Sequence, residues 1–401
     1  MSAHSYLVIE RASRRWRYCP IPGLTCREGF LSDIAALFRE DEQQCDQDRF
    51  RYVTTVRALR DRLQLHGFTS EGVSSDLRQA VDEENLAVGP TMFGEPAYDA
   101  GEILARLRNY LNWRDSAPDS DDRPGVEDVP CEYDPPELVH RLPSRTLLRL
   151  VVDLVDDPTT SVHYHLDDLP RWRLLQRGTP VADEAREARR RSIATDAPLV
   201  ILTEGSTDSQ LLSAAIEVTH PHLAQFLRFM DFSSGAAGSA DNLAKLVRSF
   251  IGAGVANRVL ALADNDTAGR DALAKLTKEG VPDNYRLRHY PPIPLLASYP
   301  TLGPQLPAPV LMDVNGSAGS LEMYLGKELL TVDGRLIPVQ WTGYVEGQRA
   351  YQGAIAARDK KRIQDDFRAK VKQALADPSR MANQDWSGIE AIVDTIMTAF
   401  A

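Results

Sequence analysis

Glu204 closes the apolar run APLVILTEG (197–205), and Asp208 follows four residues later in STDSQLLSAAIEV (206–218). About 60 residues on, NRVLALADND (257–266) ends in Asp264 and Asp266 around Asn265. A continuous apolar run ended by a turn residue reads as a buried parallel strand. In open α/β sheets, sites form at the carboxyl ends of such strands. Side chains at i and i+2 of a strand point the same way, so Asp264 and Asp266 project together. Asp208, in a first helical turn, can share a face with Glu204 and suits a helix N-terminus. Each feature alone is commonplace, since Glu-Gly makes turns and first-turn Asp makes caps. Their combination is sharper. Four carboxylates at one edge repel one another unless a hard cation joins them. Mg²⁺, with Mn²⁺ as a substitute, takes such oxygen ligands and leaves positions for phosphate.

The elements that must position these acids alternate in type. LRFMDFSS (227–234) and YRLRHYP (285–291) read as further strands, with helices over 241–252 and 268–279 between them. Strand and helix in alternation with short links predict a doubly wound α/β domain. Residues 353–378 and 385–400 read as C-terminal helices. Upstream, DSAPDSDDRPGVEDVPCEYDPP (115–136) holds eight acids, one base and five prolines, which predicts a solvated linker. The charged stretch 180–197 reads as a connector that is helical in its middle. Ahead of it, an opening strand (5–10) and helices over 32–41, 55–67, 102–113 and 145–155 predict a mainly helical α+β region.

The 401 residues suggest two or three domains at roughly 150 residues each. Hydrophobic residues at 43% and charged residues at 26% exclude a disordered or fibrous chain. The net charge of −11 argues against passive coating of nucleic acid, but not against phosphate met through a metal. No apolar run reaches the roughly 20 residues of a membrane span. The start MSAHSYLVIERASRRWR lacks the order of a signal peptide, and the four cysteines show no CxxC spacing. A cytoplasmic protein with free thiols is the expectation.

VILTEG (200–205) and LALADNDTAG together resemble the Toprim domain of topoisomerases, bacterial primases and several nucleases, over about 130 residues. TEGSTDSQLL (203–212) resembles the variant in OLD-type nucleases, where the pattern runs EGxSD. The resemblance implies that Glu204, Asp264 and Asp266 hold one metal and that Asp208 serves a second. It also implies a later acid, for which GSLEMYLG (319–326) offers Glu322, and a late basic residue facing the scissile phosphate. YQGAIAARDKKRIQDDF (351–367) offers Lys360 and Lys361 for that role, and the sequence does not choose between them. Glu204 is the expected general base or leaving-group assistant. SSGAAGSADN (233–242) reads either as a phosphate-binding loop or as a plain turn. It lacks a GK[ST] ending, and nothing else in the chain supplies a P-loop. OLD-type nucleases usually carry an ATPase domain, so ATP gating does not carry over.

FREDEQQ (38–44) and FRYVTTVRALRDRLQLHGFT (50–69) resemble the module called the HEPN/Toprim N-terminal domain, which implies a sensing or docking role. Arg60 and His66 fit the Rx₅H spacing of HEPN ribonucleases, but an exposed amphipathic helix is the favoured reading. His163, His165 and Asp167 in SVHYHLDDL have metal-ligand types on a strand, and a half-exposed strand is favoured over a site. Arg14, Arg15 and Arg17 with Trp16 and Tyr18 read equally as a nucleic-acid contact or a solvated turn.

These readings give a domain layout of 1–185 (sensing or docking), a connector 186–196, a catalytic 197–326 and a C-terminal helical extension 327–401 packed on it. The expected activity is Mg²⁺-dependent hydrolysis of phosphodiester bonds in DNA, within a bacterial antiviral system. The expected partners are DNA and either another protein of a defence complex or a second copy of the chain, with no membrane. A sensor or adaptor subunit and a ribonuclease stand as the alternatives.

Overall fold

In the computed structural model, residues 3–10, 18–88, 98–116, 137–230, 240–303 and 308–401 are described. The chain divides into two compact units, Met1–Arg190 and Arg191–Ala401. The seam falls inside one continuous helix, Val181–Asp196, so the stretch expected as a connector is the end of a regular element.

The front unit is an α+β region with more helix than strand, as expected, but it is built round a sheet where the sequence showed a single strand. Its centre is a five-stranded antiparallel sheet of β1 (His4–Glu10), β2 (Tyr18–Arg27), β3 (Gln43–Cys45), β4 (Phe50–Thr55) and β5 (Ser161–His165), ordered β2-β1-β5-β4-β3. In β4 the alternation is plain, with Phe50, Tyr52 and Thr54 buried and their neighbours less so. Thr55 then caps the helix Val56–Leu65 by accepting from the Ala58 N–H. That helix buries Val56, Leu59 and Leu63. The helix Ser144–Asp153 buries Leu147, Leu148, Leu150, Val151 and Val152 against the same core. The region 32–41 holds only a single turn, Ser32–Ala35, and a 3-10 turn at Glu40–Glu42.

The second unit contains the parallel sheet. β6 (Leu199–Leu202), β7 (Leu227–Phe229), β8 (Val259–Ala263) and β10 (Tyr285–His289) lie in the order β10-β8-β6-β7, all parallel, with β9 (Asn265–Asp266) just beyond β8. Both faces are covered, which is why LVIL and VLALA are apolar without alternation. Ile201, Leu260 and Leu262 face one core with helices Ser206–Thr219, Ala357–Ala376 and Ser387–Met397. Leu202, Val259, Ala261 and Ala263 face the other, with helices Ala240–Gly252 and Thr267–Glu279. The expected strand 227–234 is shorter, and its residues 231–234 lie outside the described residues.

The later strands are β11 (Tyr299–Leu302), β12 (Val310–Met312), β13 (Ala318–Gly319), the pair β14 (Thr331–Val332) and β15 (Arg335–Leu336), β16 (Val339–Val345) and β17 (Ala350–Ala354). β13 pairs with β9, placing Ala318 opposite Asp266. The expected boundary at 326/327 is absent. Tyr324, Phe367, Trp386 and Ile392 share one core with Ile201 and Leu260, so residues 327–401 belong to the same unit, and strands as well as helices make them up. Among the described residues, no helix is long and apolar enough to cross a membrane.

Candidate metal centre

Glu204 stands two residues past β6, and its carboxylate reaches the end of the neighbouring strand. Its Oε1 accepts the backbone N–H of Asp264 at 3.1 Å. That contact needs Gly269 in the first turn of helix Thr267–Glu279. A Cβ there would lie 2.6 Å from the Asp264 carbonyl oxygen and 3.1 Å from Glu204 Oε1. Glycine lets the helix start press against both acids.

Asp266 caps that helix. Its Oδ1 accepts from the Gly269 N–H at 2.8 Å, and its Oδ2 accepts from the Gln352 side chain on β17. Gln352 Oε1 in turn accepts from the Ala268 N–H at 3.0 Å. Asp264 is held differently. Its Oδ1 is buried and has no hydrogen-bond partner. Burial, and then the charges of Glu204, Asp208 and Asp266, raise its pKa well above the carboxylate range. Burial followed by the charge of Asp266 pushes Glu204 up to about 7, against the opposing Asp264 N–H and Lys360. Burial, then Glu322 and Glu204, push Asp208 up to about 7 as well.

Glu322 enters from the 3-10 turn Leu321–Tyr324 and is almost wholly buried. Its Oε2 accepts from Ser320 Oγ at 2.7 Å and lies 3.3 Å from Lys360 Nζ, and its Oε1 accepts from Gln364 Nε2 at 2.7 Å. Burial raises its pKa, but Lys360 and these hydrogen bonds more than offset that and leave it below the usual value. Lys360 shows the reverse balance. Burial lowers its pKa, and Glu322, Asp264 and Asp208 outweigh that, so the ammonium is held above its ordinary value. Lys361 is exposed, so of the two late lysines the structure turns only Lys360 toward the acids.

Two neighbours were not legible in the sequence. Gln352 carries no charge and arrives from a hairpin. Tyr290, just past β10, is fully buried, and its hydroxyl has no partner. Only its place at a strand end gave a signal.

Among the described residues, no three His, Cys, Asp or Glu side chains close into a ready-made metal cage. The donor set nevertheless fits a hard cation. It is all oxygen, crowded with charge, and contains an orphaned buried carboxylate oxygen. Mg²⁺ is usually held by one or two carboxylates plus water and phosphate, so it does not require a closed cage.

The other candidate residues are placed elsewhere. Arg60 donates to the carbonyls of Val152 and Val155 and lies 3.5 Å from Asp153. The expectation of an exposed pair is therefore corrected for Arg60, which ties down the end of a helix, while His66 is exposed. His163 and His165 stack 5.9 Å apart on β5, the central strand of the front sheet, and both are buried, so the strand is not half-exposed. His163 Nε2 meets Glu10 at 3.1 Å and His165 Nδ1 meets Asp167 at 2.9 Å. Arg14, Arg15, Trp16 and Arg17, and residues 233–239 of the Gly/Ser stretch, lie outside the described residues.

Comparison of the chain with protein-family models, with curated proteins and with solved structures finds no match.

Proposed function

We propose that this chain is a Mg²⁺-dependent nuclease of the Toprim type, close to the OLD-like group, that hydrolyses phosphodiester bonds in DNA. The observation that carries this reading is the buried, unpartnered Asp264 Oδ1 among Glu204, Asp208, Asp266 and Glu322, with Lys360 facing them. Asp264, Glu204 and Asp266 would hold the metal, and Asp208 and Glu322 would support a second. When bound, such a cation withdraws charge from a phosphate ester and favours deprotonation of water at neutral pH.

This chain's own residues do the rest. Glu204, at the end of β6 beside Asp264, is the group to accept a proton from the attacking water or to assist the leaving oxygen. Lys360 supplies a positive charge beside the acids, where a phosphate dianion forming in the transition state gains most from it. Asp266 and Gln352 tie the start of helix Thr267–Glu279 to the hairpin β16–β17, which holds the sheet edge in one arrangement. A role as an effector in a bacterial antiviral system, with a partner protein or a second copy, belongs to the same proposal.

The test incubates the purified chain with plasmid DNA and with total RNA, in Mg²⁺, Mn²⁺ or EDTA. DNA cleavage that needs the metal and is lost in Asp264→Asn supports the reading. RNA cleavage that survives EDTA sinks it.

A further inference from the structure

Tyr290 and Tyr324 lie side by side behind the acidic edge, with ring centroids 5.3 Å apart. Both are fully buried. Their hydroxyls differ. Tyr324 Oη accepts from Asn265 Nδ2 at 3.2 Å and donates to the Pro291 carbonyl at 2.8 Å. Tyr290 Oη has no partner at all. A buried hydroxyl without a hydrogen bond costs roughly 1–3 kcal/mol. Such groups are rare in folded proteins, and each calls for an explanation.

The backbone brings Tyr290 level with Asp264, because in the parallel ladder of β10 and β8 His289 pairs with Ala263. The Tyr290 N–H donates to the Ala263 carbonyl at 2.9 Å, which ties the residue to the end of β8, one position before Asp264. After burial, the charges of Asp208, Asp264, Glu204 and Glu322 act on its phenol in that order. Glu204, Asp208 and Glu322 act on Asp264 as well, and its Oδ1 is likewise buried and unpartnered. Two buried, unsatisfied polar atoms thus belong to residues that stand level at the ends of adjoining strands. One is an acceptor, and the other can donate or accept.

We propose that Tyr290 is a positioning residue of the metal centre, its hydroxyl holding a water molecule of a hydrated divalent cation that Asp264 would ligate. This rests on the metal reading above and adds a residue to it. Groups that hold the water or ligands around a metal commonly change its affinity by 10–100-fold when removed.

The experiment titrates Mn²⁺ alone into the full chain by calorimetry and melts the same proteins in EDTA, for wild type, Tyr290→Phe and Tyr324→Phe. Tyr290→Phe removes an unsatisfied hydroxyl, so its EDTA melting temperature should hold or rise while Mn²⁺ binds about tenfold more weakly. Tyr324→Phe breaks two made hydrogen bonds, so it should melt lower with its Mn²⁺ affinity intact. A Tyr290→Phe protein that binds Mn²⁺ as wild type does, whatever its melting temperature, overturns the assignment of Tyr290. A wild-type protein that binds no Mn²⁺ overturns the metal reading itself.

Discussion

Glu204 and Asp208 hold their protons more tightly in the folded chain than in the unfolded one, where ordinary values of 4.5 and 3.8 apply. Their contribution to stability is complete below those values and is lost as the pH rises through about 7. The melting temperature in EDTA should therefore fall between about pH 4 and 7, the window between the unfolded and folded values. Glu204→Gln and Asp208→Asn should flatten that fall. Mg²⁺ should raise the melting temperature most at the alkaline end, where no protons need to be displaced. A wild-type curve flat across this range would remove the basis for the crowded acids.

Lys360 makes the complementary case. Lys360→Met strands the buried Glu322 without its cation and should cost about 1–3 kcal/mol and most of the activity. Lys361→Met changes an exposed side chain and should do neither. Thermal melts and cleavage assays on the pair distinguish them. At this scale the sequence was legible wherever a charge stood at a strand end, as with Glu204, Asp208, Asp264 and Asp266. It was silent on Ser320, Gln352 and Gln364, whose uncharged side chains reach the acids only through folding.

At the scale of elements, the contact between β6, β8 and helix Thr267–Glu279 rests on one missing methyl group. Alanine at position 269 would be favoured over glycine by about 1 kcal/mol in an open helix. Here its Cβ would press on the Asp264 carbonyl and on Glu204, and backbone oxygen cannot step aside cheaply. Gly269→Ala should therefore destabilise, by about 1–3 kcal/mol, and should weaken Mn²⁺ binding at the same time. Denaturant unfolding and calorimetry read the two effects. An unchanged protein would mean that the helix start is looser than described. The parallel strands were readable because burial on both faces leaves an unbroken apolar run. The front sheet was not. β5, at residues 161–165, inserts between β1 and β4, whose sequence neighbours are far away, and no local pattern announces such a pairing. Its histidines, buried on a central strand, made the segment look half polar.

The whole molecule divides at Arg190/Arg191, and every acid of the candidate centre lies on one side of that seam. A chain of residues 191–401 is expected to fold and to bind Mn²⁺ with the affinity of the full protein, whereas residues 1–190 should bind none. Arg60→Ala should destabilise the front unit by about 1–3 kcal/mol, because its guanidinium satisfies the last carbonyls of helix Ser144–Asp153, and should leave Mn²⁺ binding untouched. Two resolved thermal transitions, only the lower-numbered unit's moving in the variant, would show this. If the fragment 191–401 fails to fold, the division is structural bookkeeping rather than independence.

The contacts that complete the centre come late. Glu204 waits for Asp264, Glu322 for Lys360, and Asp266 for Gln352 on the hairpin β16–β17. During synthesis the ribosome therefore releases the acids long before the residues that pair with them. A nascent chain stalled before residue 350 carries the mutual repulsion of its carboxylates and neither the lysine nor the hairpin that organises them. Chains that stop before residue 350 should bind Mn²⁺ more weakly than the full chain in a calorimetric titration. The acids are then organised only once the chain has been made as far as Lys360.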